Sequence, residues 1–159
     1  TDESMGAHLK EIDYEAIILL AKEINNLIKT KELIVQYMER LLEEHMKNTY
    51  TLLGTTISAR LLASAGSLKK MASVASSTLQ LYGAEKALFR HLKTKKKSPK
   101  YGHIFNHQLV QKSKHAESGK AARALADKIA LCAKLDYFKG EFLASKYKAE
   151  LEEIFLSKK

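Results

Sequence analysis

Between Asp13 and Met46, apolar side chains return at Ile17, Leu20, Ile24, Leu27, Ile34, Met38 and Leu41, flanked by Ala21, Ile28, Val35 and Leu42. A heptad spacing held for about four repeats selects one long helix whose stripe is buried against another helix. At 1.5 Å per residue such a helix runs roughly 50 Å, more than a compact domain needs. No upstream segment of similar length could cover it, so the expected partner is another molecule or a segment outside this sequence. Lys31 and His45 share the track of Ile17, Ile24 and Met38, where a polar residue weakens the seam or sets its register.

The rest of the chain reads as short helices with frequent stops. One proline and seven glycines in 159 residues leave few tight turns, which favours an all-α fold over a many-stranded one. An amphipathic helix interrupted by small residues is expected roughly over Leu52 to Ala65, with Gly54, Ser58, Ala59, Ala63 and Ala65 allowing close helix approach. Gly66 and Ser67 read as a stop followed by an N-cap. Ser76 or Ser77 is expected to cap "STLQLYG", and Gly83 to Leu92 to form the next helix. The helix from Glu117 to Asp136 separates its faces: Ala121, Leu125, Ile129 and Cys132 fall on one side, and Lys120, Arg123, Asp127 and Lys134 on the other. The single cysteine excludes an internal disulfide. No apolar run approaches the roughly 18 residues of a membrane helix, so a soluble, intracellular protein with no membrane partner is expected.

The net charge of +9 is local. Residues 1–92 carry 11 Lys/Arg against 11 Asp/Glu, residues 93–139 carry 12 against 3, and residues 140–159 carry 4 against 4. A polyanion is the natural partner of the middle block, because each phosphate it neutralises releases counterions. Lys93, Lys95, Lys96, Lys97 and Lys100 form its loop, and Lys120 and Arg123 its helical face. The first turn of that helix adds unpaired backbone N–H groups and a positive dipole end. Between loop and helix, Asn106, His107 and Gln108 have the chemistry to read or stack on unpaired bases, although their spacing fits turn and cap residues equally.

Five stretches carry a resemblance: "SMG" near the start, "ARLLASAGSL", "GAEKALFRHL", "PKYGHIF" and "GKAARALADKIALCAKLDYF". Together, in this order and spacing from Ser4 to Phe138, they resemble the Nop domain family of archaeal, nucleolar and spliceosomal ribonucleoproteins. The resemblance implies a compact helical Nop domain over residues 49–159 preceded by a coiled-coil remnant over 1–48. It implies a module that recognises the composite surface of a kink-turn, box C/D type guide RNA and a small kink-turn-binding protein of the ribosomal type. It assigns Gly83, Ala84, Glu85, Lys86, Phe89 and Arg90 to the small protein and the adjoining RNA. Asn106 falls at a position that meets RNA in the spliceosomal relative, where it is histidine, and Lys120 and Arg123 match a basic helix beside the phosphate backbone. The long first helix resembles half of the coiled coil through which family members pair, so self-association through it is expected.

The amino-terminal domain that docks fibrillarin, the RNA methyltransferase, is outside the matched region, so recruitment of that enzyme is expected only through a domain absent here. The proline usual before the "T-x-L-x-G" segment is replaced in "MKNTYTLLG", so the first helix is expected to run on with less of a break. The missing charged tail favours an archaeal, cytoplasmic source over a nucleolar one. Catalysis by the chain itself is not expected. Six histidines lack accompanying cysteine or acidic ligands at zinc spacing, and "SGKAAR" has the Gly-Lys pair of a phosphate loop without its other residues. No cofactor or metal is implied. The competing reading is a general basic helical nucleic-acid-binding protein.

Overall fold

The computed structural model describes residues 11–114 and 116–156, with side chains from Tyr14 onward. The "SMG" stretch, His8 and His115 lie outside the described residues. Those residues form helices α1 (Glu11–His45), α2 (Lys47–Leu53), α3 (Thr55–Ala65), α4 (Leu68–Ser73), α5 (Ser76–Leu81), α6 (Glu85–Thr94), α7 (Gln108–Lys112), α8 (Ser118–Tyr137) and α9 (Ala144–Phe155). A single 3-10 turn, His103–Asn106, precedes α7. No strand occurs among the described residues, and no helix is long and apolar enough to cross a membrane.

The chain divides into two compact units, residues 1–37 and 38–159. In the first, the whole of residues 14–34 is exposed, including the heptad residues Ile17, Leu20, Ile24, Leu27 and Ile34. The second contains the core. Its centre is α8, which packs against α2, α4, α5, α7 and α9. Small residues make this possible: Ala121, Ala122, Ala126 and Ala133 are buried together with Leu125, Ile129 and Cys132, so neighbouring helices approach the α8 backbone from several sides. Burial, helped by the nearby Asp136 carboxylate and only partly opposed by Lys128, pushes the Cys132 thiol up to about 12. The expected division of α8 into an apolar and a basic face is thus observed: Lys120, Arg123, Asp127 and Lys134 are exposed.

Three local expectations are corrected. The helix expected over Leu52 to Ala65 is two helices, because Gly54 at φ +76°, ψ 173° interrupts the turn, and Gly54 and Ala63 are exposed rather than packed between helices. The N-cap of α5 is Ala75, in extended conformation, and not Ser76 or Ser77. The linker from α4 is only Val74 and Ala75, and helix placement follows the burial of Met71 and Leu79 on α8 rather than cap chemistry. The helix expected over Gly83 to Leu92 spans Glu85–Thr94, since Gly83 has a left-handed φ of +88°. Two other expectations hold. Gly66 is the left-handed C-cap of α3, and the Ser67 hydroxyl accepts from Lys70 N–H at 3.2 Å. The first helix nearly runs on: only Met46 leaves helical geometry, and its N–H still donates to the Leu42 carbonyl at 2.8 Å.

A polar clasp that no local pattern announces closes the second unit. Asp136, near the end of α8, accepts from Asn48 N–H at 2.8 Å and Thr49 N–H at 2.9 Å. Asn48 Nδ2 donates to it at 3.1 Å and the Thr49 hydroxyl at 2.7 Å. These are first-turn donors of α2, whose N-cap, Met46, has no side chain able to accept them. Asn48 Oδ1 in turn accepts from Leu143 N–H at 2.8 Å and Ala144 N–H at 3.2 Å, capping α9.

Candidate RNA and protein interface

Helix α6 is unusual in burying none of its residues. Phe89 and Leu92 are 63% and 67% exposed, and Lys86 and Arg90 lie exposed beside them. The helix thus presents an exposed apolar pair flanked by cations, while Leu88 and His91 are half-buried. Glu85, by contrast, is engaged locally. Its carboxylate accepts Gly83 N–H at 2.8 Å, and that bond, helped by its own backbone N–H, holds the carboxyl below the usual carboxylate range.

The basic run folds back onto the far end of the same helix. Lys95, at φ +53°, is the left-handed C-cap whose N–H donates to the His91 carbonyl, and His91 Nδ1 is hydrogen-bonded to the Lys96 carbonyl oxygen. Lys93, Lys95, Lys96 and Lys97, all exposed, therefore gather where the helix dipole is negative. The loop returns to the core at Lys100–His103. Gln80 Nε2 donates to the Lys100 carbonyl at 2.6 Å, Gly102 N–H to the Gln80 carbonyl at 3.0 Å, and His103 N–H to the Tyr82 carbonyl at 2.7 Å.

Two glycines make this return possible. A Cβ on Gly102 would lie 2.0 Å from the Tyr82 carbonyl oxygen, and one on Gly83 would meet the His103 ring at 2.5 Å. His103 is itself held by a 3.1 Å hydrogen bond to the Ser64 hydroxyl. The Tyr101 and Phe105 rings stack at 4.9 Å on either side of this turn.

The return brings the loop over α8. Ser98, Pro99 and Lys100 join Gly119, Lys120, Arg123 and Asp127, with Gln80 on one wall, in a cleft of about 580 Å³. Three of the expected basic residues, Lys100, Lys120 and Arg123, thus share one cavity, beside the amino-terminal turns of a 20-residue helix. Lys93 and Lys95–Lys97 do not line it.

Asn106, His107 and Gln108 do not line it either; they border a separate cavity of about 370 Å³ with Lys148, Leu151 and Glu152. The His107 ring is occupied internally. Nδ1 accepts Leu109 N–H at 3.2 Å as the N-cap of α7, which leaves the proton on Nε2 to donate to the Leu52 carbonyl at 3.1 Å. Burial is the main cause of its depressed pKa. Of the two readings open for this residue, cap and base contact, the geometry adopts the cap. Gln80 was not anticipated: a lone glutamine in "STLQLYG" carries no signal for a bond to a residue 20 positions on.

Among the described residues, no three His, Cys, Asp or Glu side chains converge as metal ligands. Fold and cleft define an all-α module whose basic loop and helix face one cavity. A sequence profile described as "Nop: snoRNA binding domain, fibrillarin" matches residues 1–156, and the chain belongs to this Nop family. It is 42% identical over 150 residues to a NOP5 family protein of Methanocaldococcus jannaschii, covering 94% of this chain and 36% of that protein. It is 41% identical over 133 residues to nucleolar protein 58 of Schizosaccharomyces pombe (84% and 26%). It is 34% identical over 156 residues to nucleolar protein 56 of Caenorhabditis elegans (94% and 32%). A crystal structure of a fibrillarin/Nop5p complex superposes with a TM-score of 0.68 at 30% identity, covering 92% of this chain and 56% of that one. The chain therefore spans about a third of the length of these curated relatives.

Proposed function

We propose that this chain is a ribonucleoprotein assembly module that binds a box C/D type, kink-turn guide RNA together with its small kink-turn-binding protein, and serves as a non-catalytic scaffold for RNA 2'-O-methylation. The observation that carries this reading is the meeting of Lys100 with Lys120 and Arg123 in one cleft. Three cations from segments 20 residues apart line one cleft of about 580 Å³, outnumbering the single carboxylate there, Asp127. An irregular RNA fits such a divided surface better than duplex DNA, whose readers present one recognition helix.

Helix α6 supports the second half of the reading. Gly83 and Ala84 set its entry, and Lys86, Phe89 and Arg90 offer an exposed, mixed surface of the kind a protein partner buries. Glu85 acts there mainly by fixing the helix start. The lysines at the end of α6 lie between the two surfaces in sequence and contribute long-range attraction for the RNA.

The family profile and the nucleolar relatives support a role in RNA-guided modification, in an archaeal cytoplasm or a nucleolus. Fibrillarin joins such an assembly through parts of the longer relatives that this chain does not span, and the exposed stripe of α1 pairs with a helix of a second subunit. The test is a gel shift with kink-turn RNA, with and without the small protein. A supershift that requires the small protein supports the reading, whereas equal binding to naked duplex DNA defeats it in favour of a general basic nucleic-acid-binding protein.

A further inference from the structure

Residues 83–102 leave the core and come back as one excursion. Helix α6 buries nothing, so the excursion is attached at its two feet. The first foot, Gly83, sits under the His103 ring, and the second, Gly102, sits under the Tyr82 carbonyl; neither position has room for a Cβ. Backbone bonds from Gly102 N–H to Gln80 and from His103 N–H to Tyr82 hold the second foot. Lys100, two residues further out, has no such backbone rung. Its carbonyl accepts the Gln80 side-chain amide at 2.6 Å, and this is the residue that carries the loop's charge into the cleft.

We propose that Gln80 is a positioning residue for RNA binding: its side-chain amide is the strut that fixes Lys100 over Lys120 and Arg123, so that the loop meets the backbone in register with α8. The proposal rests on the cleft being the RNA site. Its chemistry is specific. The strut needs an N–H donor at the end of a two-methylene arm, because the acceptor is a backbone carbonyl, and Gln80 uses its own main-chain carbonyl for the adjoining rung to Gly102. One residue therefore ties both backbone and side chain to the returning segment. Without the strut, Lys100 samples many positions, and the ordering cost of bringing it back falls on the binding step.

The test is a double-mutant cycle with Gln80→Ala and Lys100→Ala, read by binding to kink-turn RNA loaded with its small protein, across a salt series. Amide hydrogen exchange at residues 100–103 is measured on the free chain in parallel. Gln80→Ala is expected to weaken binding about tenfold, equivalent to one lost hydrogen bond's worth of order, and to leave the salt slope unchanged within about half a unit, since Lys100 still makes its phosphate contact once ordered. In the Lys100→Ala background the same change should cost less than about twofold, since the strut then has nothing to position. Exchange at Gly102 and His103 should rise in Gln80→Ala while the unfolding midpoint stays within a degree or two. An effect of Gln80→Ala that persists undiminished beside Lys100→Ala would show that Gln80 touches the RNA directly and overturn the proposal, as would unchanged exchange. If the wild-type chain fails to bind the loaded RNA, the proposed function itself falls; faster exchange in Gln80→Ala would then still establish the strut, and unchanged exchange would remove it too.

Discussion

Replacing Asp136 by alanine should destabilise the second unit by about 4 kcal/mol. The carboxylate accepts four hydrogen bonds, from the backbone N–H and the side chain of both Asn48 and Thr49, at 2.7 to 3.1 Å. Two of these cap α2 in place of its apolar N-cap, and loss of a cap costs about 1 to 2 kcal/mol. The other two donors belong to Asn48 and Thr49, which are 4% and 0% exposed. Asn48 Nδ2 keeps its 3.3 Å bond to the Glu141 carbonyl, so the Thr49 hydroxyl is the buried donor that loses its acceptor, which adds about 1 to 3 kcal/mol, partly relieved by a water entering the space vacated by the carboxylate. The total, about 4 kcal/mol, corresponds to roughly 12 °C in midpoint for a chain of this size.

The assay follows urea unfolding by trapping the single thiol, Cys132, which is buried in the α8 core and so reports this unit rather than the exposed α1. Asp136→Asn keeps one acceptor and should lose about half as much. Asp127→Ala, a change at an exposed acid on the same helix, should stay within about 0.5 kcal/mol. A cost for Asp136→Ala no larger than that for Asp127→Ala would refute the clasp as the closing element of the fold.

Further outcomes follow from the same geometry. Converting Lys120 and Arg123 together to alanine should lower the salt slope of RNA binding by about two units, one per phosphate contact; a slope equal to that of the unaltered chain would take both residues out of the site. His107 has its folded pKa below the unfolded value of about 6.5, so its neutral form is the native one: its contribution is complete above that pH and is lost as pH falls from there toward the folded value. His107→Asn keeps an N-cap acceptor without titrating, and its midpoint, measured from pH 7.5 down to 5, should fall less steeply than that of the parent. Gly102→Ala forces a Cβ to within 2.0 Å of a backbone oxygen, so it should cost about 3 kcal/mol of overpacking and release the loop from α8, detectable as faster exchange at His103.

The long helix, the two faces of α8 and the stop at Gly66 were legible because each is written in neighbours three to seven residues apart, where backbone geometry turns spacing directly into direction. The local charge excess likewise marked residues 93–139 as the region to watch. What spacing could not supply was which of those charges meet. Lys100 joins Lys120 and Arg123, and Lys95 to Lys97 do not, because a backbone ladder to Gln80 and Tyr82 turns the loop at Gly102. The choice of Ala75 over a serine as N-cap, the use of His107 as a cap, and the capping of α2 by a carboxylate 88 residues away have the same origin. A polar group takes whichever partner the packed helices bring within about 3 Å, and that distance exists only after α8 has been enclosed.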